Sequence, residues 1–257
     1  MSFDADVTAC AAIVEKGDPE RFAAAMASPV AARKVLFPLY AFNVEVTRAP
    51  WVTQEAMIAE MRLQWWRDAL EEIAQGGQVR RHEVVTPLSR FLTAESAAWL
   101  DRLVAARRWD IYKDPFEDEV HFETYLTDTT ASLMLAGLEA LGDTPNSDME
   151  KAVKTLGYCT GLSRFLCAVP ALEEHGRVPL LDGRREAVAD LARDAVSRCP
   201  PRTTLRSLID RAAYPAVTEA FLAQTILGQV AKAPQSVADG TIAVAPLKRS
   251  ILLWRWS

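Results

Sequence analysis

Apolar residues recur along this chain at the spacing of α-helices, and the strict apolar–polar alternation of half-buried strands is missing. The clearest case is the segment 53–77, in which Leu63, Trp66, Leu70 and Ile73 form one apolar stripe. Other long segments rich in alanine, leucine and glutamate repeat this pattern between turn signals. The pattern therefore predicts an all-α fold, a helical bundle.

Start and stop signals place the ends of these helices. Asp18 can cap a helix whose first residue is Pro19, and Thr53 can cap the helix that carries the apolar stripe. A helix over 29–49 contains Pro38 and is expected to bend there. The remaining predicted helices cover 96–113, 119–141, 148–169, 184–198, 204–232 (broken near Pro215) and 246–256.

Composition narrows the class of protein. Half of the 257 residues are hydrophobic, which is ample for a core, and without a repeat or an obvious linker we expect a single domain over 1–257. The net charge of −5 and the pI of about 5.4 argue against a general electrostatic grip on nucleic acid. The four cysteines have no CxxC spacing, which is typical of reduced thiols and argues against structural zinc.

Neither the first residues nor the apolar runs indicate secretion or a membrane span. The start, MSFDADVTACAAIVEKGD, carries two early aspartates and no basic region, unlike a signal peptide or an arginine-rich transit peptide. No stretch approaches about 18 consecutive apolar residues. We expect a cytoplasmic protein with at most peripheral membrane contact. PLKRSILLWRWS (246–257) is the candidate segment for such contact, although a last helix docked on the core with its basic residues outside is the simpler interpretation.

Few residues form a recognisable chemical pattern. The sequence has no glycine-rich phosphate loop, no HExxH and no GxSxG, and its three histidines are scattered. Carboxylates one helical turn apart can bind Mg²⁺, and two runs have this spacing. In the run Asp110, Asp114, Asp118, the intervening Pro115 breaks the helix, which indicates a helix end and its loop. The run Asp190–Asp194 lies among arginines, which predicts a solvated, salt-bridged helix face.

Four segments, in order, resemble the squalene/phytoene synthase family of all-helical prenyltransferases. They are SPVAARKVLFPLYAFNVEV, EMRLQWWRDALEEI, FETYLTDTTASLMLAGLEALG and LGYCTGLSRFLCAVPALEEHGRVPLL, which together cover most of residues 20–182. The resemblance implies a helical bundle of the isoprenoid synthase type around a central cavity. In that family, two helices carry aspartate-rich motifs that bind Mg²⁺ and the diphosphates of two prenyl substrates, which condense head to head.

This sequence departs from the family pattern at every one of those aspartates. The first motif follows the tripeptide YAF, and its aspartates correspond to Thr47, Arg48 and Trp51. The aspartates of the second motif correspond to Ala168 and Leu172. The resemblance therefore implies that the Mg²⁺-binding carboxylates of the family are lost here.

Two arginines, rather than aspartates, are expected in the cavity. If uncompensated, Arg48 and Arg164 would repel Mg²⁺, and they could hold a diphosphate directly. A plainer interpretation stays open for each: Arg48 complements the dipole at a helix C-terminus, and Arg164 pairs with an inward acid such as Glu45. No catalytic residue and no metal ligand is expected. The residues expected to line the cavity or to contact an anion are Tyr40, Asn43, Thr47, Arg48, Arg67, Gly161, Arg164 and Ala168.

A narrower resemblance rests on AFNVEV, MRLQWWRDALEEI, GLSRFLCAVP and PLKRSILLWRW. These segments are similar to the branch of the family that contains the mitochondrial complex I assembly factor 6 and lacks the aspartate pairs. The resemblance implies a non-catalytic protein without a cofactor, which assists the assembly of respiratory complex I by binding one of its subunits or a lipid. Since no transit peptide is recognised, a bacterial counterpart is expected.

Two alternatives stay open at this point. The chain could be a prenyl diphosphate-condensing transferase that binds Mg²⁺ in some other arrangement, or a carrier of an isoprenoid or other lipid in the central cavity. Fold alone does not decide among these functions. The lost aspartates weigh against enzymatic activity.

Overall fold

Helices make up the regular secondary structure of residues 4–53 and 55–257, the part of the chain that this computed structural model describes, and that part contains no strand. The predicted all-α fold class is thereby confirmed. Two short 3₁₀ helices, Arg107–Asp110 and Tyr214–Ala220, lie between α-helices. The α-helices of the described residues are α1 (Ala5–Gly17), α2 (Pro19–Met26), α3 (Val30–Arg48), α4 (Ala56–Ala74), α5 (Val85–Leu88), α6 (Ala94–Ala106), α7 (Glu119–Ala140), α8 (Ser147–Glu174), α9 (Arg185–Arg198), α10 (Arg202–Leu208), α11 (Ala223–Lys232), α12 (Gln235–Ala238) and α13 (Pro246–Trp256).

Helix ends follow the capping chemistry of the sequence at α2 but not at α4. The Asp18 carboxylate accepts a hydrogen bond from the backbone N–H of Arg21, and Pro19 is the first residue of α2, as predicted. The prediction that Thr53 caps α4 is wrong, because the N-cap of α4 is Glu55. The Thr53 hydroxyl instead accepts from the N–H of Glu55 at 3.1 Å and closes the turn that precedes the helix.

Prolines have different effects in different helices. Pro38 lies inside α3, and Pro170 lies inside α8, which continues to Glu174 and so passes the predicted end at 169. By contrast, the helix predicted over 204–232 is interrupted around Pro215, where a 3₁₀ helix separates α10 from α11. A proline costs a helix one backbone hydrogen bond, and packing on the surrounding elements decides whether the helix survives it.

α7 is central to the packing, since it lies against α6 on one side and α8 on the other. Along α8, Gly157 brings two backbones together: a Cβ added there would lie 2.4 Å from the Cβ of Ala131 on α7. One turn farther on, a Cβ added to Gly161 would lie 2.8 Å from the carbonyl oxygen of Leu126. These two glycines therefore set how closely α7 and α8 approach each other.

Two large clusters of buried apolar side chains flank this helix pair. One joins α1, α3, α4, α5 and α6, and it buries all four stripe residues of α4, as the periodicity predicted. Within it, the rings of Phe42 and Trp66 meet edge to face at 5.3 Å. The other cluster joins α7, α8, α9 and α11 around Phe122 and Leu166. Helix faces on both sides of the α7–α8 pair are thus fixed by apolar burial.

α13 is docked on the molecule by one face only. Leu252, Leu253 and Trp256 pack against the cluster around Phe221, while no residue of α13 is fully buried. The docking of this helix agrees with the simpler interpretation of its sequence. None of the helices in the described ranges combines the length and the hydrophobicity that a membrane crossing requires.

Candidate functional site

A cavity of about 580 Å³ lies between α3, α7 and α8, beside the turn from α1 to α2. Small-molecule sites in proteins have volumes of this order, about 300–1,000 Å³. Apolar side chains form part of its wall, among them Val44, Leu126, Phe165 and Leu172. Polar and charged side chains complete the lining, so the cavity can accept an amphiphilic molecule.

α3 contributes one wall through residues near its C-terminal end. Asn43 and Thr47 lie one turn apart on the same face, followed by Arg48 and Trp51. Asn43 Oδ1 and Thr47 Oγ1 are buried and have no hydrogen-bond partner within the described residues. Arg48 Nη1 donates to the Glu45 carboxylate at 3.2 Å, and the Arg48 side chain is 61 % exposed. Arg48 therefore lies at the rim, where water screens its charge.

α8 supplies the opposite wall. Gly161, Arg164, Ala168 and Leu172 recur every three or four residues and therefore share one helical face. Ala168 and Leu172 present hydrocarbon to the cavity, and Gly161 presents no side chain. The face that carries the second aspartate motif in the family thus offers one cation and no oxygen ligand.

Four charged side chains, Asp18, Arg21, Arg164 and Glu219, form a buried ion cluster where α2 and α8 meet the 3₁₀ helix Tyr214–Ala220. Arg21 Nε lies 2.5 Å from Glu219 Oε2, and Arg21 Nη1 lies 2.8 Å from Asp18 Oδ2. Arg164 joins the same two carboxylates, at 3.1 Å from Asp18 and 3.3 Å from Glu219. Two acids and two arginines therefore balance each other inside the protein.

The titration of these groups follows from their neighbours. Burial alone would raise the pKa of Asp18, but Arg164 and Arg21 outweigh it and hold the pKa well below its usual range. Burial alone would lower the pKa of Arg21, but the ion pairs with Glu219 and Asp18 raise it above its usual value. Tyr40 lies beside the cluster, with its ring 5.7 Å from the Arg21 guanidinium. Burial, reinforced by the charge of Glu219, raises the pKa of Tyr40, so its phenol stays neutral.

A second polar group borders the cavity where the 3₁₀ helix Arg107–Asp110 meets α7. The Tyr125 hydroxyl donates to Asp110 Oδ1 at 2.8 Å and accepts from Arg107 Nη1 at 2.9 Å. Arg107 also donates to Asp110 Oδ2 at 3.1 Å, and the backbone carbonyl of Asp110 accepts from Arg177. Burial raises the pKa of Tyr125, which keeps the hydroxyl protonated and able to donate.

Two of the eight predicted site residues lie outside the cavity lining. Tyr40 lies behind the lining, against Arg21. Arg67 lies elsewhere, because its guanidinium on α4 donates to both oxygens of Asp101 on α6, at 2.7 and 3.0 Å. For all eight, contact with an anion stays a prediction. The six that line the cavity are Asn43, Thr47, Arg48, Gly161, Arg164 and Ala168.

Both cavity arginines are compensated by carboxylates, so the condition under which they would repel Mg²⁺ is not met. Arg48 pairs with Glu45, and Arg164 pairs with Asp18 and Glu219 rather than with Glu45. Spacing along the chain could not show these partners, because they come from distant segments. Six further polar or charged residues line the cavity and were not predicted from the sequence: Asp18, Arg21, Arg107, Asp110, Tyr125 and His175.

Two of the missed residues carried a usable signal. The sequence places Asp18 at a helix cap and Asp110 at a helix end, and carboxylates at such turns can reach across to neighbouring elements. The others carried none, since a lone arginine, tyrosine or histidine on a helix has no distinctive spacing.

Mg²⁺ held as in the fold family does not fit these residues. Both oxygens of each cavity carboxylate already accept hydrogen bonds that a hard cation would have to displace: arginine N–H groups bind Asp18, and Arg107 and the Tyr125 hydroxyl bind Asp110. Throughout the described ranges, no group of three or more histidine, cysteine, aspartate or glutamate side chains is placed to hold a metal ion.

Two solved structures with a similar fold are a dehydrosqualene synthase and a squalene synthase. A dehydrosqualene synthase superimposes with a TM-score of 0.79 at 19 % identity, over 98 % of this chain and 95 % of that one. The squalene synthase of Alicyclobacillus acidocaldarius superimposes with a TM-score of 0.69 at 15 % identity, over 88 % of this chain and 93 % of that one. These likenesses show the isoprenoid synthase fold. The squalene/phytoene synthase family model matches residues 14–238, so the chain belongs to the squalene/phytoene synthase family.

Within the family, the curated relatives share a more specific description. The Drosophila melanogaster "NADH dehydrogenase (ubiquinone) complex I, assembly factor 6 homolog" is 32 % identical over 171 residues, which are 63 % of this chain and 50 % of that protein. The Homo sapiens "NADH dehydrogenase (ubiquinone) complex I, assembly factor 6" is 26 % identical over 163 residues, 63 % of this chain and 48 % of that protein. The chain thus spans about half the length of the curated relatives it matches. These relatives are eukaryotic, and a further one comes from Dictyostelium discoideum, so they do not support the expected bacterial origin.

Proposed function

We propose that this protein is a non-catalytic assembly factor of respiratory complex I, which uses the synthase fold to bind a subunit of that complex. The relatives that carry the name of such a factor support the role. The site supports the lack of catalysis, as the family's chemistry depends on carboxylates that this chain does not have.

One observation carries the proposal: the two helix faces that meet across the cavity are chemically unfit for metal-assisted ionisation of a diphosphate. Thr47, Arg48 and Trp51 stand on one side, and Ala168 and Leu172 stand on the other. Without a metal ion, the negative charge that develops on the departing diphosphate loses several kcal/mol of stabilisation, roughly the loss seen when an enzyme's electrostatic stabilising group is removed. The fold is retained while the reaction is not supported.

Deletion of the gene in its host tests the assembly role. We expect fully assembled complex I, resolved on native gels and stained for NADH oxidation, to fall several-fold, and we expect a reintroduced wild-type gene to restore it. Another respiratory complex on the same gel serves as the control and should not change. Normal complex I in the deletion strain would overturn the proposal.

The prenyltransferase alternative has its own test. Purified protein with Mg²⁺ and farnesyl or geranylgeranyl diphosphate should release no pyrophosphate above background, whereas a family synthase assayed alongside should release it steadily. Steady release by this protein would show that metal binding survives in another arrangement.

A carrier function is a second candidate, and the volume of about 580 Å³ with its partly apolar wall favours it. The candidate ligand is an isoprenoid or another lipid. Native mass spectrometry of the purified protein should then show a bound amphiphile that denaturation releases. A spectrum of the bare chain alone would count against this candidate and leave the assembly role untouched.

A further inference from the structure

The outer face of α13 presents apolar side chains to solvent. Leu247, Ile251 and Trp254 are spaced four and three residues apart, so they form one stripe along the helix. Trp254 is 77 % exposed and Leu247 is 75 % exposed. The docked residues, such as Trp256, lie on the opposite side of the helix. The stripe is therefore not a by-product of docking, because it faces away from the core.

Basic residues border the stripe on α13. Lys248 and Arg255 are seven residues apart and share one side of the helix, next to Ile251. Neither takes part in an ion pair within the described ranges, and α13 contains no acid. Arg249, on the docked side, lies 3.7 Å from Glu20 and is partly compensated. An uncompensated cationic edge thus accompanies the apolar stripe.

α10 and the turn after it extend this basic surface. Arg202 and Arg255 line one groove together with Trp256. A neighbouring groove is lined by Arg206, Arg211 and Tyr214. Two acids border this surface: Asp210 is exposed next to Arg211 in the chain, and its backbone N–H donates to Asp143 Oδ2 at 2.7 Å.

Aromatic contacts connect these grooves to α13. The guanidinium of Arg206 lies 5.3 Å from the centre of the Tyr214 ring, and that ring lies 6.4 Å from the Trp256 ring. Arg202, Arg206 and Arg211 make no ion pair among the described residues. Together with α13 they form what we term the basic–apolar face: Arg202, Arg206, Arg211, Leu247, Lys248, Ile251, Trp254 and Arg255.

We propose that the basic–apolar face binds an anionic lipid bilayer surface, with α13 lying along the interface. The face combines uncompensated cations with exposed apolar side chains, although the whole chain carries a net charge of −5. Anionic headgroups complement the cations, and the stripe can enter the boundary between headgroups and acyl chains. A tryptophan at this boundary keeps its ring in lipid and its N–H near water. This inference goes beyond the assembly role and does not depend on it.

A bilayer fits this face better than an acidic protein partner. The stripe runs along a convex helix rather than inside a groove, and its cations lie to one side, which is the pattern of an interfacial helix. A short helix binds membranes weakly alone, and the arginines of α10 and the following turn add attraction from outside α13.

Vesicle flotation with the full chain tests the inference. The probes are vesicles of phosphatidylcholine alone and vesicles in which about one third of the lipid is phosphatidylglycerol. We expect the wild-type protein to float with the anionic vesicles and not with the neutral ones, and to detach in about 0.5 M NaCl, where charges are screened. The double variant Lys248→Glu with Arg255→Glu should bind the anionic vesicles at least about tenfold more weakly than the wild type.

A second pair of variants separates the face from general effects. Leu247→Ser with Trp254→Ser should also lose binding, because the double variant removes most of the apolar stripe. Both side chains are exposed, so their replacement should not unfold the protein. Met57→Ser with Arg62→Glu makes the same kind of change on the exposed side of α4 and should leave binding intact. Equal binding to both vesicle types, no binding to either, or wild-type binding by the charge-reversed variant would overturn the inference.

Discussion

At the scale of single residues, Glu219 shows how the site has become internally balanced. Its side chain has no exposed surface, and one of its oxygens serves both Arg21 and Arg164. Asp18 completes the balance from the start of α2. In the family, bound metal and diphosphate supply the charges at the cavity. Here the protein supplies both signs of the cluster itself, while the second oxygen of Glu219, Oε1, is buried without a hydrogen-bond partner among the described residues.

The variant Glu219→Gln tests how much the buried ion cluster contributes to the free energy of unfolding. The change leaves Arg21 and Arg164 buried with one carboxylate between them, and it should lower the free energy of unfolding by about 3–5 kcal/mol. Urea denaturation measures this loss. The control is Glu45→Gln, which breaks the exposed pair with Arg48 and should cost less than about 1 kcal/mol. Equal losses in the two variants would contradict the buried role of Glu219.

Sequence reasoning at this scale could identify what is absent but not what replaces it. The absence of an acid at Thr47, Arg48 and Ala168 is a local fact that a motif comparison identifies. The partners of Arg164 depend on how α2, α8 and a distant 3₁₀ helix pack, which no local pattern encodes. Arg67 failed as a cavity residue for the same reason, as its partner Asp101 is fixed by the contact of α4 with α6.

At the scale of elements, the approach of α7 to α8 depends on a missing side chain. Gly157→Ala would place a Cβ 2.4 Å from the Cβ and 2.6 Å from the Cα of Ala131, and backbone cannot move aside cheaply. We expect the variant to lose about 2 kcal/mol of unfolding free energy or more, despite the better helix propensity of alanine. Thermal and urea unfolding measure the change.

A matched glycine gives the opposite expectation. Gly228 lies inside α11 with no atom within 4 Å of an added Cβ. Gly228→Ala should therefore stabilise the protein by about 0.5–1 kcal/mol through helix propensity and reduced chain entropy. If both alanine variants changed stability in the same direction, close packing would not explain Gly157.

Hydrophobic periodicity predicted helices such as α4 well, because burial of one helix face produces the periodic pattern. Capping chemistry predicted the start of α2 in the same local way. Boundaries failed where a competing interaction won. Thr53 could cap a helix, but its hydroxyl closes the preceding turn, and Pro170 could end a helix, but packing carries α8 onward to Glu174.

At the scale of the whole molecule, the four cysteine thiols lie in different environments, and their pKa values differ accordingly. Burial raises the pKa of Cys10 to about 12, and it raises the pKa of Cys167, which is exposed in part, to about 11. The neighbouring Cys199 thiol together with burial raises the pKa of Cys159, whose Sγ donates to the Ala195 carbonyl at 3.3 Å, and the neighbouring Cys159 lowers the pKa of Cys199. Cys199 should thus carry the largest share of thiolate.

Alkylation by iodoacetamide near neutral pH should follow that order. We expect Cys199 to react about tenfold faster than Cys167, and Cys10 and Cys159 to react only when the protein unfolds. Mass spectrometry of peptides taken over time gives the four rates, and a sample in denaturant gives the unprotected reference. Early modification of Cys10 would show that the packing of α1 is looser than described.

The buried ion cluster also bears on whether the cavity could acquire a divalent cation. An aspartate at position 168 would lie one turn from Arg164 on the same face of α8, and an aspartate at position 47 would line the same wall as Arg48, so each new carboxylate would have an arginine as a neighbour in the cavity. Removing the arginines first would strand Asp18 and Glu219 without partners. Binding of a divalent cation at this cavity would therefore need coordinated changes in the ion cluster as well as the two new aspartates, because neither set of changes suffices alone.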